Sequence, residues 1–194
     1  QLSCGNSVTS VSVTTNGAPL PGQFFVQPPS GTELDTTFAF SAVQWSDSDI
    51  PLTYQFGFTS PESLSNLVVV SASELTYTST SLPAGAERSG FSLNCSLFVF
   101  DTLGAASFSF TNITIEPLTT AQKSIKMNEI LASSSSSGSS LDEIKRSLSV
   151  VSSALNQANC SAAPNCTALY REECSKTSST CGGCLDNYIG DGGD

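Results

Sequence analysis

Leu52-Thr53-Tyr54-Gln55-Phe56-Gly57-Phe58 sets an apolar residue at every second position. Successive side chains of a strand point to opposite faces, so this run has one face for a core and one for solvent. The alternation recurs in Phe38, Phe40 and Ala42, in Leu67 to Val70, in Leu75 and Tyr77, and in Phe91, Leu93, Cys95, Leu97 and Val99. Phe108 and Phe110 are followed by Ile113 and Ile115, where the apolar phase slips by one residue, as a β-bulge would produce. Glycine or proline punctuates the gaps, at Gly17 to Gly22, Pro28 to Gly31, Pro61, Pro83 to Gly85 and Gly104. Seven or so short strands with turns between them, from Val8 to Ile115, describe a β-sandwich.

After Pro117 the period changes. Leu141, Ile144, Leu148, Val151 and Leu155 fall at steps of three and four, a helical stripe, and Ser140 with Glu143 makes a capping box at its start. A weaker helical pattern runs from about Thr120 to Ala132, and the serine run Ser133 to Ser140 is a connection long enough to let two antiparallel helices pair. The stripe is too small to stand alone, so the hairpin must pack on the sandwich, on the cysteine-rich end or on a neighbouring molecule. The chain therefore divides into a sandwich with an N-terminal strand (1–116), a helical hairpin (117–158) and a cysteine-rich module (159–194).

Cys160, Cys166, Cys174, Cys181 and Cys184 lie in a stretch too small and polar to fold on its own core, where disulfides normally supply the stability. Cys181-Gly182-Gly183-Cys184 has the gap of a zinc knuckle. A partner pair at matching spacing is missing, and the chain has no histidine. Asn-x-Ser/Thr occurs at Asn94, Asn112, Asn159 and Asn165, and such sites are modified only along the secretory route. Three of these sequons carry cysteine in the middle position, a feature that lowers occupancy; Asn112-Ile113-Thr114 does not. Asn94 and Asn112 both sit out of phase with their apolar neighbours, so both point outward. Cys95 faces the core and the only cysteine before it is Cys4, so a Cys4 to Cys95 bridge is the simplest assignment; a buried free thiol is the alternative. The total of 7 cysteines is odd, and we read this as a missing partner. With no leader at Gln1 and no closing element at Asp194, the sequence reads as a piece of a longer protein.

Charged residues make up only 12% of the chain, and Ser and Thr fill the polar positions, a surface suited to O-linked sugar. A net charge of −10 with 7 basic residues repels phosphate and anionic headgroups, which argues against nucleic-acid and anionic-membrane partners. No apolar run approaches the roughly 18 residues of a spanning helix, so no direct membrane insertion is expected from this chain.

Residues Pro28 to Thr32, then Trp45-Ser46-Asp47-Ser48-Asp49-Ile50-Pro51-Leu52-Thr53-Tyr54-Gln55-Phe56, then Leu82-Pro83-Ala84-Gly85 and Phe100 to Ala105 resemble the receptor-for-egg-jelly (REJ) module. That module is related to the polycystin immunoglobulin-like domains and recurs in large surface proteins of protists and algae. Tyr170 to Cys174 and Thr180 to Gly190 resemble an epidermal-growth-factor-like (EGF-like) module, which in such proteins often follows a helical segment ending in a Leu-Asn pair, here Leu155-Asn156. The resemblance implies an immunoglobulin-like sandwich, one further cysteine beyond Asp194 and three bridges in the tail. It also implies adhesive, mechanical or filament-forming roles at the cell surface.

Catalysis has little to stand on: there is no histidine for a triad, no phosphate loop, and the carboxylates are scattered without a visible partner. An acid–base glycosidase built on Asp47 and Asp49 is the weakest of the readings, and no enzyme is expected. Asp47, Asp49 and Asp101 supply the hard oxygens that calcium takes, and equally the caps that turns take. Calcium is the one cofactor the residues admit. Trp45 is either a sugar-stacking platform or the buried pin of a sandwich, and its setting favours the pin.

The expectation is an extracellular structural protomer that self-assembles into a glycosylated filament or flagellar hair. Leu2 to Thr15 would provide a strand for its own sheet or a neighbour's. The alternative is a spacer or adhesion module of a membrane-anchored surface receptor.

Overall fold

The computed structural model describes residues 2–4, 7–13, 15–61, 65–134, 139–158, 160, 162–174 and 177–190. Its strands are β1 (Leu2–Cys4), β2 (Ser7–Thr9), β3 (Gln23–Gln27), β4 (Ser30–Thr32), β5 (Phe38–Val43), β6 (Thr53–Thr59), β7 (Asn66–Ser73), β8 (Tyr77–Thr80), β9 (Ser92–Phe100) and β10 (Ala106–Glu116). Two helices follow, α1 (Thr120–Ser134) and α2 (Leu141–Leu155). One sheet has the order β4-β10-β9-β6-β7 and the other β3-β5-β8. All pairings within them are antiparallel except β4 with β10. The protein is thus mainly β, a sandwich followed by a helical hairpin and a disulfide-linked tail.

The sandwich forms because alternate residues of both sheets bury against each other. Phe38, Phe40 and Ala42 of β5 face Tyr54, Phe56 and Phe58 of β6 and Leu93, Cys95, Leu97 and Val99 of β9 in one core. At its centre the rings of Phe24, Phe40 and Phe56 lie 6.0–6.2 Å apart and join the two sheets. Trp45 is buried in the same cluster and donates from Nε1 to the Gln23 carbonyl at 3.3 Å, so it is a core pin. Leu82 to Gly85 are all buried. Gly85 is required there because a Cβ would stand 2.1 Å from the Phe91 carbonyl oxygen.

Four expectations are corrected. The phase slip in β10 is not a bulge: its register with β9 runs unbroken from Ala106 to Thr114. Phe108 and Phe110 instead belong to the outer face while Ile113 and Ile115 belong to the core. The register shifts fall elsewhere, between β6 and β7 near Phe56. Leu75 and Tyr77 are exposed: Leu75 precedes β8, and within β8 the inward phase falls on Thr78 and Thr80. Of the two places expected for the N-terminal segment, its own large sheets are not the one taken: β1 pairs with β2, and neither strand joins a large sheet. Cys95 is a free thiol, fully buried, so the bridge to Cys4 is absent.

The helices share the sandwich core. Met127 of α1 and Val150, Val151 and Ala154 of α2 are buried within it. The capping box at Ser140 and Glu143 starts α2. Arg146 donates to the Ser79 carbonyl of β8, and Ser71 of β7 donates to Asp142, so α2 spans the edge strands of both sheets. The buried face, however, is not the one the stripe marks. Leu141, Ile144, Leu148 and Leu155 are exposed; only Val151 of the stripe is covered. Valine and alanine let a helix lie close against a sheet, so α2 rests on its smaller residues, roughly one residue step (about 100°) from the leucines. The middle of the serine-rich connection, 135–138, lies outside the described residues.

One polar group inside this core escaped the sequence pattern. Glu33, fully buried just after β4, pairs with Lys123 of α1 at 2.8 Å. Its second oxygen accepts from the Leu118 amide. Lys123 also donates to the Ala154 carbonyl and to Gln157 Oε1, so one ammonium ties β4 to both helices.

Candidate functional site

The turn after β9 is built by Asp101. Its Oδ1 accepts from the amides of Leu103 and Ala105, its Oδ2 accepts from Asn16 Nδ2 at 2.6 Å, and Gly104 takes φ 88° to close the turn. The Thr102 amide donates to the Asp49 carbonyl, which brings the 47–49 loop alongside. There Asp47 Oδ1 accepts from the Asp49 amide, an Asx turn. The carboxylates of Asp47, Asp49 and Asp101 converge to within 4.8 Å of one another. The structure therefore brings together the three residues singled out in the sequence, and the hydrogen bonds at Asp47 and Asp101 are those of turn caps.

Burial pushes the Asp101 carboxyl up, but hydrogen bonds from Asn16 and from the amides of Ala105, Leu103 and Gly104 outweigh it, so it titrates below its ordinary value. A depressed carboxyl stabilises the fold above its unfolded value of about 3.9, and that contribution disappears as pH falls through the folded-state value. Asp101→Asn should therefore melt below wild type at neutral pH, and the gap should narrow as pH falls below the ordinary carboxylate range. Melting curves of both proteins check this; a gap that persists in acid contradicts it. In the same series, turn-capping carboxylates predict no change in melting on adding millimolar calcium, whereas a calcium-dependent rise would make the cluster a metal site.

On the outer face of the five-stranded sheet, Asn94 of β9 and Asn112 of β10 stand directly opposite each other. Asn94 is half-buried, accepting from Thr59 Oγ1 and donating from Nδ2 to Asn112 Oδ1 at 2.9 Å. Asn112 is exposed. Asn165 is exposed and caps a short 3₁₀ turn, its Oδ1 accepting from the Ala168 amide; Asn159 lies outside the described residues. The strand register that opposes Asn94 to Asn112 is not visible in sequence spacing.

In the tail, Cys160 bonds to Cys174 and Cys166 to Cys181. Loops of this size give about 3 kcal/mol each in the chain-entropy account. Backbone pairing of Glu172 with Gly182 and Gly183, and the stacked rings of Tyr170 and Tyr188, complete the tail. Cys184 is free and half-buried; a third tail bridge was expected only with a cysteine beyond Asp194. Burial pushes the Cys95 thiol up to about 12, which keeps it protonated and unreactive.

A family model described as REJ domain matches residues 2–157, a span that takes in the sandwich and both helices. Among solved structures, the chain is similar to one of the carbohydrate-binding modules from the β-sandwich superfamily, at 20% identity and a TM-score of 0.41. That match covers 55% of this chain and 37% of that one. It is also similar to the PKD1 domain of Vibrio anguillarum Epp, at 21% identity and a TM-score of 0.35 over 54% of this chain and 100% of that one. A third is the PKD1 domain of the Vibrio cholerae metalloprotease PrtV, at 19% identity and 0.33, over 51% and 98%. No curated protein matches the chain.

Proposed function

The chain belongs to the REJ domain family, and from that premise we propose that it is a non-enzymatic structural protomer of an extracellular, glycosylated filament or flagellar hair. The observation that carries this reading is the apolar stripe of α2: Leu141, Ile144, Leu148 and Leu155 are exposed while the helix is anchored by the adjacent face of Val150, Val151 and Ala154. Steps of three and four on an uncovered helix face are the pattern by which helices of separate molecules interlock. Val11 and Val13, 80% and 83% exposed, add a second uncovered apolar segment near the other end of the chain. Two different surfaces on one protomer generate an open array rather than a closed dimer. The disulfides fit an oxidising compartment, and the net charge of −10 disfavours nucleic acid as the partner.

Sedimentation velocity over a wide concentration range tests the reading. Self-association that Leu148→Glu abolishes is the expected result; a monomer at every concentration, or association indifferent to Leu148, overturns it. The second reading, a spacer or adhesion module of a membrane-anchored receptor, is favoured by the way α2 shields the edges of β7 and β8. Covered edges are what a unit that must stay single requires.

A further inference from the structure

Phe108 and Phe110 of β10 are 64% and 49% exposed, yet with the half-buried Phe98 they form one aromatic cluster with ring centroids 5.6–6.3 Å apart. Among the described residues, nothing covers the two exposed rings, Phe108 and Phe110, on this solvent face of the sheet. The same strand carries Phe110, Asn112 and Thr114 at alternate positions, on the face opposite Ile113 and Ile115. Phe110 thus stands two residues before a sequon asparagine, about 6.8 Å along the strand. The threonine that completes the sequon follows on the same face.

We propose that Asn112 carries the N-linked glycan of this face and that its first N-acetylglucosamine lies flat on Phe110, covering the aromatic cluster. The axial C–H groups of a pyranose form an apolar face, and that face stacks on an aromatic ring as other apolar surfaces do. In attachment, Asn112 Nδ2 loses a proton and bonds to the anomeric carbon of the sugar. The bond from that carbon to the pyrophosphate of a lipid-linked oligosaccharide breaks, and the lipid pyrophosphate leaves. Asn112 suits this because it is exposed and its Nδ2 has no partner among the described residues, while its Oδ1 is held by Asn94. Asn94 does not: its Nδ2 is used in that bond, it is half-buried, and the middle residue of its sequon is a cysteine. Directly opposed strand positions have Cβ atoms about 4.5–5.5 Å apart, too close for two branched glycans.

This inference rests on the extracellular reading above, but its test does not depend on assembly. Expression of the chain in a secreting eukaryotic cell supplies the sugar donor, and glycopeptide mass spectrometry reads each sequon. Asn112 occupied and Asn94 empty is the expected pattern. The glycan should raise the melting temperature by about 2–4 °C relative to Asn112→Gln, and in a Phe110→Thr background that increment should vanish. An empty Asn112, an occupied Asn94, or an increment unchanged by Phe110→Thr overturns the proposal. So does association of the Asn112→Gln protein that Phe110→Thr abolishes, since a second copy would then be the cover. The failure of filament formation would leave all of these readouts intact.

Discussion

Replacing Lys123 by methionine is expected to destabilise the protein by about 3–5 kcal/mol, because it leaves a charged carboxylate buried without its counter-ion. Glu33 has no exposed surface, and without the ammonium its side chain keeps, among the described residues, the Leu118 amide as its polar partner. Methionine keeps most of the lysine volume, so packing changes little and the loss reports the charge. For a chain of this size the melting temperature should fall by roughly 6–20 °C. The paired change Glu33→Leu with Lys123→Met should recover most of it, since an apolar replacement of a buried ion pair is often neutral. Urea denaturation of wild type, single and double variants checks both statements. Because Lys123 also holds the Ala154 carbonyl and Gln157, amide exchange in the single variant should quicken first in the two helices.

Phe56→Ala is expected to cost about 3–5 kcal/mol. Phe56 is fully buried in β6, and its ring meets Phe24 of β3 and Phe40 of β5, so it is a principal contact between the two sheets. Truncation removes both aromatic contacts and leaves a cavity lined by side chains that strand pairing holds in place. Phe56→Leu, which fills most of the space, should lose less than half as much. Since whole domains are stable by only about 5–15 kcal/mol, this is a large share of the total, and the alanine variant should melt well below wild type, as near-ultraviolet circular dichroism on heating would register.

The sheets were legible because a strand buried on one face writes its burial at period two, as Phe38 and Phe40 or Leu93 to Val99 do. Phe108 and Phe110 broke that rule by placing large apolar residues outside, and a slip of phase looked like a bulge. The α2 stripe misled for a related reason. Hydrophobic size marks leucine, whereas close approach to a sheet selects Val150, Val151 and Ala154, so the smaller face was the one buried. Turn chemistry made Asp47, Asp49 and Asp101 visible as a set, because each lies in a short loop with glycine, serine or proline nearby. Glu33 and Lys123 were not visible: they are brought together by the hairpin folding back over β4, and no local pattern encodes that contact. Nor could spacing show that Asn94 faces Asn112, which follows only from the β9–β10 register.

Electron microscopy of the native material, at a resolution that traces helices, separates a filament protomer from a spacer module. A filament protomer should show a regular axial repeat in which the leucine face of α2 is covered by the next copy of the chain. Single or flexibly beaded particles with Leu141, Leu148 and Leu155 open to solvent would contradict it and leave the spacer reading in its place.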